Sequence, residues 1–137
     1  MSNEAQIVAG ILAETDMCFL ATASGHEPKV RAFQFQFEQD GKLWFCTARS
    51  KDVFKQLQAN PALEICAVKP DMTWLRLSGQ AVLEDSPTVK ERILAEQPLI
   101  KSIYGTADNP DFTTFAIEHG AYTIADFSGN PPRQDFF

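Results

Sequence analysis

Two short segments collect polar and charged side chains where a hydrophobic core has no use for them. The first is Arg31-Ala32-Phe33-Gln34. Arg31 shares the parity of Phe33, Phe35 and Phe37, so strict strand alternation sends its guanidinium towards the apolar side. A charge there is costly without a partner. Either a bulge flips the register, or an anion meets the guanidinium. The second segment is Thr47-Ala48-Arg49-Ser50-Lys51, read as the junction between a strand and a helix start. The first N–H groups of a helix are unpaired and carry partial positive charge, which suits a phosphate. Hydroxyls at Thr47 and Ser50 and an ammonium at Lys51 add to that site. The plainer reading makes Ser50 a helix cap and Lys51 a solvated first-turn residue. A lysine at a helix N-terminus is unfavourable by roughly a few tenths of a kcal/mol, which counts against a purely structural role.

The elements that must position these groups follow from pattern and punctuation. Ser2 can cap a short first helix with Ile7, Val8, Ile11 and Leu12 on one face. Met17–Thr22 reads as a buried strand, and Ser24-Gly25-His26-Glu27 as a turn. Pro28 begins a long strand in which Phe33, Phe35 and Phe37 alternate with Gln34, Gln36 and Glu38. Asp40-Gly41 is a hairpin turn into Leu43–Ala48. With a two-residue turn Gln39 faces Lys42, and Arg31 comes opposite Ser50, so the hairpin delivers both segments to one corner.

A helix from Ser50 buries Val53, Phe54 and Leu57 and ends at Asn60-Pro61. Leu63–Lys69 and Trp74–Glu84 are strands, the latter with Gly79 marking a bulge or bend. Ser86-Pro87 starts a helix that Pro98 stops. Residues 100–110 carry no clear pattern, Phe112–Ile117 reads as short helix or strand, and Ala121–Phe127 is a last strand before an irregular tail. The expectation is one domain over residues 1–137, mostly β with peripheral α. Its sheet is a six-stranded antiparallel barrel with short helices at the ends, which disposes of sheet edges.

Composition narrows the function classes. Phenylalanine, with 11 copies, leans the chain towards β. The net charge of −6 argues against nucleic acid and acidic membrane surfaces as partners. Residues 28–55 nevertheless carry a surplus of positive charge, which suggests a small anionic ligand. The first twenty residues hold no Lys or Arg, and no run approaches a membrane span or signal peptide. Cys18, Cys46 and Cys66 read as reduced core thiols of a cytoplasmic protein. No metal is expected, because there is no Cys-x-x-Cys and His26 lies far from His119.

The order and spacing of Lys29-Val30-Arg31-Ala32-Phe33-Gln34, Leu43-Trp44-Phe45-Cys46-Thr47-Ala48, Ser50-Lys51-Asp52-Val53 and Trp74-Leu75-Arg76-Leu77-Ser78-Gly79 resemble the flavin-binding split-barrel family related to pyridoxamine 5′-phosphate oxidase. The resemblance covers nearly the whole chain. It implies a split barrel binding flavin mononucleotide (FMN), with Arg31, Ser50 and Lys51 on its phosphate. The backbone from Arg31 through Ala32 and Phe33 to Gln34 would run along the flavin, and Cys46 and Thr47 would touch it near the ribityl chain. Trp74 falls near a position that contacts cofactor across a homodimer interface in relatives; an aromatic core residue is the alternative. The tail from Ser128 to Phe137 lacks a histidine, so the resemblance does not extend to vitamin B6 oxidation.

The function expected is therefore an FMN-dependent oxidoreductase passing electrons between a small-molecule donor and acceptor. A non-catalytic flavin carrier or redox sensor is the alternative, as is a split barrel holding haem or a deazaflavin. No proton donor is identifiable from sequence: His26 lies in a turn, and His119 precedes Gly120.

Overall fold

The computed structural model describes residues 3–137. Eight strands form one antiparallel sheet, accompanied by four helices. Helix α1 (Asn3–Ala13) buries Ala5, Val8 and Leu12, with Ile11 packed beside them; its expected cap, Ser2, lies outside the described residues. Strand β1 (Cys18–Ser24) is one-sided: Cys18, Leu20 and Thr22 are buried, while Phe19 stays half exposed. The long phenylalanine strand is broken into β2 (Glu27–Phe33) and β3 (Phe37–Gln39). Asp40 and Gly41 both adopt positive φ, 57° and 79°, the primed turn whose twist suits a two-residue hairpin. It leads into β4 (Lys42–Ala48).

Helix α2 (Asp52–Ala59) presents Val53, Phe54 and Leu57 to the core as the spacing predicts. Its N-cap is Lys51 rather than Ser50, and that side chain makes no capping bond. Strands β5 (Ala62–Val68) and β6 (Trp74–Val82) follow, with a register shift between Gly79 and Ala81. The glycines there are required by close approach: a Cβ on Gly120 would lie 2.8 Å from the Ser78 carbonyl oxygen. Ser86 caps α3 (Pro87–Glu96) by accepting from the Val89 N–H. Pro98 does stop α3, but it also opens α4 (Pro98–Tyr104), as proline at a first helical position can. The two expected C-terminal segments fuse into β7 (Phe112–Ala125), and the tail adds β8 (Arg133–Phe136). Eight strands thus replace the six expected.

The sheet runs β2-β1-β5-β6-β7-β4-β3, with β8 beside β7, and is not closed. Gln39 does face Lys42, but the β3–β4 pairing ends at Phe37–Trp44, and β2 pairs with β1 instead. Arg31 therefore lies opposite Leu20, not Ser50. The segment Gln34–Gln36 connects the two outermost strands of the curled sheet, leaving a slot between β2 and the end of β4. Inside the curl, Phe33 packs edge-on to Phe45 at 6.1 Å, and Phe45 stacks on Phe115 at 5.4 Å. Fully burying such rings contributes roughly 1.5–3 kcal/mol each. A second apolar cluster outside the curl, Phe37, Trp44, Val89, Ile93 and Phe112, seats α3 against the sheet.

Candidate functional site

The slot opens onto a cleft of about 280 Å³ lined by Ala32, Phe33, Gln34, Cys46 and Lys51, together with Met17, Gln36, Leu99, Ile100, Ile103 and Tyr104. Five of the nine residues singled out from sequence thus share one wall. Their convergence follows from topology: β2 and β4 border the slot, and Lys51 stands where the chain turns from β4 into α2. The Trp44 carbonyl still accepts from the Gln36 N–H, but two residues further on Cys46 has no strand beside it on that side. Its peptide groups face the slot by the alternation of the ladder. Sequence reasoning missed the opposite wall, because nothing in the pattern shows that α4 exists or which strand it covers.

The other four residues are placed differently. Arg31 points to the inner side, as its parity predicts, without a register flip. Its guanidinium donates to the Thr22 hydroxyl at 2.8 Å, the Gln56 side-chain oxygen at 2.6 Å and the Leu20 carbonyl at 3.3 Å. All three acceptors are neutral. Burial pulls its pKa down, and the Asp52 charge opposes that shift. Gln56 lies on the helix that Lys51 opens, so both cations address α2. Thr47 is 2% exposed, and its hydroxyl oxygen is buried with no hydrogen-bond partner. The Gln36 side-chain oxygen, in the cleft wall, is orphaned in the same way. Buried polar atoms of this kind cost about 1–3 kcal/mol each.

Ser50 is engaged by the protein itself. The Asp111 carboxylate accepts its N–H and its hydroxyl, both at 2.9 Å. Trp74 lies away from the cleft, against Phe127 at 5.0 Å, and pairs with Val68 and Ala125.

The charge balance around α2 is unusual for an acidic chain. Among the described residues, eight of the twelve Lys and Arg side chains form ion pairs; Arg31, Lys51, Lys55 and Lys101 do not. Three of those four sit on or against α2. Lys51, in extended conformation before the helix, lines the cleft, whereas Lys55 lies with Asp52 on a different part of the surface. Cys46 is not an anion: burial pushes its thiol up to about 12, opposed by the Lys51 charge. Among the described residues no group of His, Cys, Asp and Glu could hold a metal ion, and no helix is long and apolar enough to cross a membrane.

Comparison with known proteins gives this geometry its setting. No curated protein matches the sequence. Among solved structures, a NimC/NimA family protein from Clostridium acetobutylicum is 31% identical over 98% of this chain and 93% of its own, with a TM-score of 0.91. A pyridoxamine 5′-phosphate oxidase-related, FMN-binding protein from Nostoc punctiforme shares the fold at 16% identity and TM-score 0.68, over 98% and 90% of the two chains. A haem-binding protein from Mycobacterium smegmatis shares it at 17% identity and TM-score 0.72, over all of this chain and 58% of its own. The family model described as pyridoxamine 5′-phosphate oxidase matches residues 5–123, which include both slot-lining strands, α2 and the cleft's opposite wall. That match takes in most of the chain, and the chain belongs to the pyridoxamine 5′-phosphate oxidase family.

Proposed function

We propose that this protein binds FMN in the cleft and serves as a flavin-dependent oxidoreductase. The observation that carries the reading is the set of cations at α2 without carboxylate partners. In a chain of net charge −6, cations left without ion pairs keep a local positive potential for an anion. The residues fit a phosphorylated flavin. Lys51 supplies a mobile charge, and Arg31 supplies a fixed one across Gln56. The orphaned oxygens of Thr47 and Gln36 can accept hydrogen bonds from the ribityl hydroxyls and ring N–H. The free backbone edges of Ala32–Gln34 and Cys46 match a flat ring bearing alternating donors and acceptors. Ser50 acts indirectly, holding the turn through Asp111.

Bound FMN supplies hydride or single-electron transfer, and the chain's part is to bind, orient and exclude water. A charged hydrogen bond to phosphate contributes roughly 1.5–3 kcal/mol, so Lys51 accounts for much of the preference for FMN over riboflavin, with Arg31 adding positive charge from behind Gln56. Cys46 remains a neutral thiol at physiological pH and neither repels the phosphate nor attacks the ring.

A second copy of the chain would complete the site. The cleft is slightly smaller than the roughly 300–1,000 Å³ of complete small-molecule pockets. Phe19 and Val30, 50% and 68% exposed, continue the same outer face through Ala32, which pairs with Phe19. Apolar surface of this kind marks an interface. Three free thiols support a reducing, cytoplasmic setting. The haem relative favours a second reading, but neither His26 nor His119 lines the cleft.

The purified protein's absorption spectrum and the chromophore released on denaturation test the proposal. Flavin bands and released FMN are expected. A Soret band, or a deazaflavin in the extract, overturns the assignment.

A further inference from the structure

We infer that Tyr104 is the hydrogen-bond donor for a second, uncharged ligand in the same cleft, a flat aromatic compound with a single carbonyl oxygen. The placement beside the flavin rests on the reading above. Helix α4 turns Leu99, Ile100, Ile103 and Tyr104 towards the cleft, the spacing of one helical face. Leu99 and Ile103 are 73% and 63% exposed, so a flat apolar molecule laid against them removes costly surface from water. The Tyr104 ring stacks on the fully buried Phe112, with centroids 4.5 Å apart and 18° between planes, which fixes its direction. Its carbonyl is bonded to Asn109 and Thr106, yet among the described residues its hydroxyl has no hydrogen-bond partner.

The remaining polar groups of the cleft lack this fixed direction or are otherwise engaged, and the Gln34 amide sits on an exposed, flexible side chain. The Gln36 amide nitrogen donates to the Gln34 carbonyl, Lys51 is the cation for a phosphate, and Cys46 offers only a weak S–H donor. A single rigid O–H above an aliphatic wall, with no carboxylate lining the cleft, selects a neutral ligand with one acceptor oxygen. A hydrocarbon of the same shape leaves the phenol without a partner.

The test uses 2-acetylnaphthalene and its carbonyl-free isostere 2-isopropylnaphthalene, measured by equilibrium dialysis against the flavin-free and the FMN-saturated protein. The wild type is expected to prefer the ketone. Tyr104→Phe keeps the ring and its stack, and it should weaken the ketone about three- to tenfold, the range for one neutral hydrogen bond, with no change for the hydrocarbon or for FMN. Leu99→Ser should weaken both naphthalenes alike. Equal loss for both compounds in Tyr104→Phe, or no preference in the wild type, overturns the assignment. A protein that takes up the ketone with this discrimination but no FMN refutes the flavin reading alone.

Discussion

Asp111 accepts both donors of Ser50, the N–H and the hydroxyl, each at 2.9 Å. The carboxylate is not a loose loop group. The Asp111 carbonyl accepts from the Arg49 N–H at 2.8 Å, extending the ladder between β4 and β7 by one step, and its own N–H donates to the Asn109 side chain. A phosphate brought to Ser50 would meet a fixed negative charge. Under the proposed function the phosphate is therefore left to Lys51 and Arg31, and Ser50 belongs to the turn that precedes Lys51.

Ser50→Ala tests this division of labour. It should lower stability by about 1 kcal/mol, the usual net worth of one hydrogen bond, in urea titration. FMN and riboflavin affinities should change by the same small factor, because the hydroxyl is not on the phosphate. A loss of FMN affinity beyond tenfold, with riboflavin untouched, would return the hydroxyl to the phosphate.

Lys51→Met should behave in the opposite way. The side chain is exposed and has no acidic partner, so folding is little affected. FMN affinity should fall at least tenfold, consistent with about 1.5–3 kcal/mol for a charged hydrogen bond, while riboflavin binding stays nearly constant. Fluorescence titration with both flavins measures this, and equal losses would remove Lys51 from the phosphate's surroundings.

Asp85 gives a pH signature for folding. Burial pushes its pKa up, but bonds from Lys90 and Arg49 outweigh this and hold it below the ordinary aspartate value. A depressed folded-state pKa stabilises above the unfolded pKa, and that contribution is lost as pH falls through the folded value. Asp85→Asn also strands the Lys90 ammonium, whose side chain is only 8% exposed. A cost of about 2 kcal/mol at pH 7 is expected, less than for a fully buried pair because Asp85 is partly solvated. The gap between wild type and variant should be widest near neutrality and narrow below about pH 4. A gap that is constant down to pH 3 would show that the carboxylate is not ionised in this role.

Much of the fold is legible in local chemistry. The Asp40-Gly41 turn, the buried face of α2, the Ser86-Pro87 helix start and the bulge after Gly79 all sit where side-chain type and spacing put them. Arg31's inward direction also follows from parity alone. Its partners do not, because a hairpin turn fixes register only as far as the strands stay paired. The break at Gln34–Gln36 hands β2 to β1, a neighbour that no local signal names. The same limit hides the cleft's second wall. Pro98 reads equally as a stop or a start, and Leu99, Ile103 and Tyr104 meet Lys51 only through the pairing of β4 with β7 and the packing of α4. The tail strand β8 carries two charges and one exposed phenylalanine, with no alternation to betray it.

The link between the two outermost strands also limits how far the molecule can yawn. From Phe33 to Phe37 the chain has four peptide steps, which stretch to about 14 Å at most. At that end the gape is capped by covalent length. At the other end, beyond Arg31 and Ala48, the bridge is made of side chains: Arg31 and Thr22 both meet Gln56 of α2. The slot is therefore fastened unequally, at one end by peptide bonds that cannot part and at the other by hydrogen bonds that can break and re-form.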